Sequence, residues 1–131
     1  MNPIRPLLLV ATLMFAAGAG AADIYLIANP ALTLTPAEAK EVFLGEKQFA
    51  GDQRIVPLDN ASAQSEFVRK AFGIDVDKYR TIWTKKSFRD GLNPPAVKAD
   101  DEAVLSTVRS TPGAIGYVTS RPSGVTVLQK Y

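Results

Sequence analysis

The sequence predicts an α/β fold, a small mixed β-sheet flanked by about four helices, on three observations. Short β-rich apolar runs (Ile24 to Ala28, Arg54 to Leu58, Ala114 to Val118) alternate with amphipathic stretches. Each helical stretch carries its own start or stop signal. Finally, Thr111-Pro112-Gly113-Ala114-Ile115-Gly116-Tyr117-Val118 joins a helix stop, a tight turn and a buried strand in one segment.

Ile24 to Ala28 reads as a first strand buried on both faces, broken by Asn29-Pro30. The next segment, Pro36 to Leu44, is a helix: Thr35 is the N-cap, Pro36 fits the first turn, Glu38 completes a capping box and Gly45 ends it. Its core contacts should be Ala37, Val42 and Phe43. A polar loop around Gly51-Asp52 leads to a second strand, Arg54 to Leu58, which Pro57 assigns to a sheet edge or a strand end. A helix follows from Glu66 to Phe72, with Asn60 or Ser62 as its cap, Phe67, Ala71 and Phe72 on its apolar face, and Gly73 as its stop. Asp75 caps a third helix with Tyr79, Ile82 and Trp83 as a core stripe, and breakers from Asp90 to Pro95 end it.

The last helix spans Asp100 to Arg109, with Ala103, Val104 and Val108 on one face. Proline cannot continue it, and Gly113 offers the positive φ expected of the reversal into Ala114 to Val118, a central strand. Within that strand Gly116 leaves its side-chain position empty, which favours close packing of a neighbour. Arg121-Pro122-Ser123-Gly124 makes a turn and Val125 to Leu128 a final strand.

Ahead of these elements, Arg5, the apolar run Leu7 to Phe15 and the small residues Ala19-Gly20-Ala21-Ala22 have the layout of a secretory signal peptide. The expected organisation is a leader over 1–22, cleaved after Ala21 or Ala22, and one domain over 23–131. The remaining chain of about 110 residues is enough to bury roughly 65% of its unfolded surface, and no stable membrane insertion is expected after cleavage. Of 15 basic residues only Arg5 precedes Asp23, the first of 13 acidic ones, so the mature net charge is 14 minus 13, or +1. Such a balance points away from nucleic acid and anionic membranes. With no cysteine and no histidine, disulfides, thiolate chemistry, imidazole-bound zinc and histidine triads are excluded. The carboxylates Asp100, Asp101 and Glu102 suit a helix start, no serine has an evident base, and no phosphate loop spacing occurs, so no catalytic constellation or cofactor site is read.

The capped helix Leu34-Thr35-Pro36 to Phe43-Leu44-Gly45 and the Pro112-Gly113-Ala114-Ile115-Gly116-Tyr117-Val118 strand, with Trp83, Phe88 and Gly91 between them, resemble the phosphate-type periplasmic substrate-binding proteins of ABC transporters. That family is worded as a helix ending in I-F-x-G, a serine-rich helix start, a tryptophan, and a P-G-A-I-G-Y-V strand. The resemblance runs from Asp23 to Val127. It implies one lobe of a type 2 periplasmic-binding-protein-like fold, a periplasmic location, a small phosphate-like oxyanion as ligand, and an ABC transporter permease or a second subunit as partner. The family grips its anion at the turn after the second strand with a serine-glycine-threonine run and a preceding arginine. Here, with Phe67 aligned to the family's phenylalanine, those positions fall on Ala61, Ser62 and Ala63, no arginine stands at the end of the second strand, and Asp59 stands in that neighbourhood instead.

The expected ligand site is therefore Asn60, Ala61, Ser62, Ala63 and Gln64, at a helix start whose free N–H groups and dipole can hold an oxyanion without net positive charge. Arg54, Arg69 and Lys70 are candidate replacements for the missing arginine, and Lys85, Lys86 and Arg89 form a small basic cluster that a partner could read. An aspartate at position 59 opposes a fully ionised anion by about 4 kcal/mol at 4 Å and an effective dielectric near 20, whereas it can accept a proton from a hydroxyl or a protonated phosphate. An envelope sensor or adaptor that keeps the lobe as a scaffold is the alternative reading.

Overall fold

Tyr25–Ala28 (β1) is apolar throughout and entirely buried, because it lies between two other strands of a five-stranded sheet. The computed structural model describes residues 22–131, so the leader expected over 1–22 falls outside the described residues except for Ala22. Along the chain, Pro36–Phe43 (α1) follows β1. Next come Phe49–Ala50 (β2) and Gln53–Arg54 (β3), then Val56–Asn60 (β4), Gln64–Phe72 (α2) and Val76–Asp90 (α3). Ala96–Lys98 (β5), Asp101–Ser110 (α4), Ala114–Val118 (β6) and Thr126–Lys130 (β7) complete the order.

The sheet runs β5-β4-β6-β1-β7. Parallel pairing joins β4 to β5 (Leu58↔Ala96, Asn60↔Lys98) and β4 to β6 (Val56↔Ala114), whereas β1 is antiparallel to both β6 and β7. The mixed sheet and the central place of Ala114–Val118 are as the sequence predicts. Alternation along β1 sends Ile24, Leu26 and Ala28 into a core with α1, α2 and α3, where Phe43, Phe67, Tyr79, Trp83 and Tyr117 meet. Tyr25 and Ile27 face a smaller core with Leu58, Val118 and the Val104 and Val108 face of α4. Three helices thus cover one side of the sheet and α4 the other, each burying a stripe that would otherwise face water.

Several details depart from expectation. Ala37 is exposed and Ala39 is buried in its place, one position further round α1. Arg54 belongs to a separate two-stranded hairpin with Phe49, Ala50 and Gln53, so the second long strand begins at Val56. Of the two placements expected for Pro57, the strand end holds: it sits at the start of β4, an interior strand. Its missing donor is tolerated because β5 pairs only from Leu58 onward. The strand β5 itself, three residues after two prolines, is too short for a periodicity signal. At Gly113 the reason for glycine is space, not dihedral angle. Positive φ occurs at Gly45, Gly51, Gly73, Gly91 and Gly124, while a Cβ at Gly113 would stand 2.1 Å from the Arg54 carbonyl oxygen. Gly116 behaves as expected: a Cβ there would lie 2.7 Å from Val104 Cγ1, so its absence lets α4 settle on the sheet.

Candidate functional site

The site is built where β4 ends and α2 begins. Asp59 and Asn60 close a parallel strand, and in open α/β sheets ligands gather beyond the carboxyl ends of such strands. Both side chains are buried, Asp59 at 2% exposure and Asn60 at 0%. They face opposite sides of the sheet and serve different ends.

Asn60 is structural. Its Nδ2 donates to Asp101 Oδ1 at 2.8 Å and to the Tyr117 carbonyl at 3.0 Å, and its Oδ1 accepts from the Ser62 amide at 3.0 Å and the Ser62 hydroxyl at 2.6 Å. Asp101 in turn accepts from the amide and hydroxyl of Thr119. The network ties the ends of β4 and β6 to the first turn of α4, leaving the Asn60 amide no spare hydrogen-bonding group for a ligand. Neither Asn60 nor Ser62 caps α2, contrary to expectation. The N-cap position is Ala63, which has no side-chain acceptor, because Asn60 is drawn into the sheet and Ser62 is drawn onto Asn60. The first turn of α2, Gln64, Ser65 and Glu66, thus begins without a side-chain cap, and Ser65 lies exposed.

Asp59 points to the α2–α3 side. Its Oδ1 accepts from the Tyr117 hydroxyl at 2.8 Å, and both its oxygens receive the Tyr79 hydroxyl, at 3.2 and 3.0 Å. Burial pushes its pKa from 3.8 up to about 6, while hydrogen bonds from Tyr117, Tyr79 and Gln64 restrain the rise. The same burial, together with the Asp59 charge, drives the ionisation of both tyrosines upward, so they remain neutral donors. Tyr79 and Tyr117 escaped the sequence reading because they sit in apolar stripes. The available signal was the hydroxyl itself, which when buried needs a polar partner.

A groove of about 870 Å³ opens beside this carboxylate, with Asp59 and Gln64 at one end and Tyr79, Trp83, Pro94, Pro95, Phe88 and Val97 along α3 and β5. Trp83 anchors its inner wall by donating from Nε1 to the Phe43 carbonyl at 3.0 Å. Phe88 and Val97 stand 94% and 59% exposed.

The cations proposed to replace the missing arginine are engaged elsewhere. Arg54 lies over the Phe49 ring and lines a neighbouring cleft of about 290 Å³. Arg69 and Lys70 pair with Glu66, and Lys70 also donates to the Ala22 carbonyl. Arg80, which borders the groove, pairs with Asp77 at 3.0 Å. Of the basic cluster, Arg89 pairs with Asp90, while Lys85 and Phe88 line an outer hollow.

No protein-family model matches the chain, and no curated protein does. Solved structures do. A Clostridium perfringens protein described as a phosphate ABC transporter substrate-binding protein, with bound phosphate, superposes with a TM-score of 0.57 at 17% identity, over 82% of this chain and 45% of its own. An ABC-type phosphate transport receptor from Vibrio cholerae superposes with a TM-score of 0.51 at 16% identity, over 82% of this chain and 46% of its own. The chain therefore spans less than half the length of these proteins and has the fold of one lobe of a periplasmic binding protein, as its Pro-Gly-Ala-Ile-Gly-Tyr-Val strand implied.

Proposed function

We propose that this chain is a periplasmic solute-binding module that takes phosphate or a similar small oxyanion at the start of α2, in the service of an ABC transport system. The supporting observation is the first turn of α2 without a side-chain cap, set at the end of parallel strand β4 in the fold of a phosphate receptor's lobe. Its N–H groups and dipole favour an anion, and Gln64 adds a neutral donor. The ligand contacts shift from the expected set: the backbone from Ala63 onward and the Gln64 side chain carry them, while Asn60 holds the turn in shape. Asp59 selects for an oxyanion that retains a proton, since a carboxylate can only accept. The second wall that a full-length receptor supplies from its own other lobe comes here from a partner subunit or the permease. The role is one of binding, without catalysis.

One observation favours the second reading, an envelope sensor or adaptor that binds no solute: among the described residues, the nearby cations Arg69, Lys70 and Arg80 are each paired with an acid rather than set beside Asp59 in place of the family's arginine. Thermal unfolding of the purified protein with phosphate, sulfate, molybdate and small carboxylates separates the two. A ligand at a hundredfold excess over its dissociation constant adds about 2.7 kcal/mol, a rise of about 10 °C for a domain of this size. The expected result is a rise with phosphate that is reduced in Gln64→Ala and kept in Lys85→Ala. No rise with any anion at millimolar concentration sinks the solute-binding reading and leaves the adaptor.

A further inference from the structure

We propose that the groove beside Asp59 selects a phosphonate or phosphate monoester with a flat apolar body, its headgroup at the start of α2 and its body between α3 and β5. The inference rests on the oxyanion reading above and narrows its ligand class.

Size is the first argument. At about 870 Å³ the groove lies within the range of sites for small organic molecules, about 300 to 1,000 Å³. A bare tetrahedral oxyanion fills roughly 100 Å³ at most, on the scale of about 30 Å³ for one water. An inorganic ion would leave most of the groove wet.

The second argument is the apolar surface in the lining. Asp59 and Gln64 sit where β4 meets α2, and along α3 and β5 the apolar Trp83, Pro94, Pro95, Phe88 and Val97 stand beside the polar Arg80, Thr84 and Ser87. Phe88 and Val97, at 94% and 59% exposure, are large apolar side chains that the fold itself leaves uncovered. A flat body laid against them removes that surface from water. An added peptide strand is a poorer occupant of the β5 edge, because β5 has only three residues and follows Pro94 and Pro95.

The third argument fixes the headgroup. Asp59 is 2% exposed and already accepts from the hydroxyls of Tyr79 and Tyr117. An ionised carboxylate has acceptor positions only, so whatever meets it from the groove must donate. The first turn of α2 asks the opposite, an acceptor with negative charge. A singly charged phosphonate or phosphate monoester satisfies both, offering one P–OH to Asp59 and two bare oxygens to α2. Sulfonates and carboxylates carry no proton near neutral pH and leave Asp59 facing another anion.

Calorimetric titration of the purified protein near pH 7, where Asp59 is ionised and part of each phosphonate or phosphate is still singly charged, with phenylphosphonate, inorganic phosphate and benzenesulfonate tests this. Phenylphosphonate is expected to bind about tenfold or more tightly than either of the others. Phe88→Ala, at a side chain so exposed that folding is not at stake, is expected to weaken phenylphosphonate several-fold and leave phosphate unchanged. Equal affinity for phosphate and phenylphosphonate, or no effect of Phe88→Ala, overturns the groove inference and leaves the oxyanion reading intact. Benzenesulfonate binding as well as phenylphosphonate overturns the proton requirement and the proposal with it. Absence of binding by all three removes both the inference and the reading beneath it.

Discussion

Asp59→Asn should make the protein more stable near neutral pH, and the size of the gain follows from where the carboxylate sits. The group ionises at about 6 in the folded protein against 3.8 for an unperturbed aspartate. A carboxyl whose pKa is higher folded than unfolded holds more protons in the native state between those two values. Unfolding free energy therefore falls as pH rises from about 4 to about 6, and stability is greatest below the unfolded pKa. At about 1.4 kcal/mol per pH unit, the interval corresponds to about 3 kcal/mol.

Asparagine keeps the shape and cannot ionise, while each tyrosine hydroxyl can donate or accept, so Tyr79 and Tyr117 can re-pair with the amide. Urea denaturation of both proteins from pH 4 to pH 7.5 gives the difference directly. Groups common to both cancel, including Glu38 and Glu66, whose pKa values are lowered by a Thr35 amide and by Arg69 respectively and which act with the opposite sign at lower pH. The wild type should lose about 3 kcal/mol relative to Asp59→Asn over that range, a gap of about 10 °C in melting temperature. Parallel curves would refute the reasoning, because they would mean that burial does not disfavour the Asp59 charge.

Two further substitutions probe the frame. Gly113→Ala places a Cβ 2.1 Å from a backbone oxygen that has no freedom to move away, and should cost at least about 2 to 3 kcal/mol in urea denaturation. Gly116→Ala meets only the end of the Val104 side chain and should cost less, so the reverse order would contradict the packing argument. Asn60→Ala takes away the partner of the Ser62 amide and of the Tyr117 carbonyl and one of the donors to Asp101, and should lower stability by about 2 to 3 kcal/mol in the absence of any ligand. An unchanged melting temperature would return Asn60 to the ligand.

Much of the scaffold was legible in the sequence because its signals are local. The Thr35 and Glu38 capping box, the Asp75 cap, the stop at Gly73, the breakers that follow Asp90 and the acidic start of the last helix each act within a few residues, and all are present. What escaped depends on residues far apart. Gly113 is required by the Arg54 carbonyl, which the chain brings back only by folding, so its need for space looked like a need for a dihedral angle. Asn60 looked like a helix cap because caps and sheet-end polar networks use the same side chains, and only the arrival of Asp101 and Tyr117 decides between them. Asp59 reads in the sequence as an absent arginine, because its tyrosine partners lie 20 and 58 residues away. The groove was invisible for the same reason, since its walls come from a helix, a proline pair and a three-residue strand that periodicity does not detect.

The position of β1 governs the order in which this sheet can form. Its neighbours on both sides, β6 and β7, are the last strands of the chain, and Ile24 exchanges backbone hydrogen bonds with Tyr131. Until residue 114 and beyond are available, Ile24 to Ala28 has no strand to pair with and its apolar side chains have no sheet to join. The closure joins segments far apart in sequence, which slows folding and makes it a late event. A fragment that stops before β6 would retain four well-signalled helices and no sheet centre.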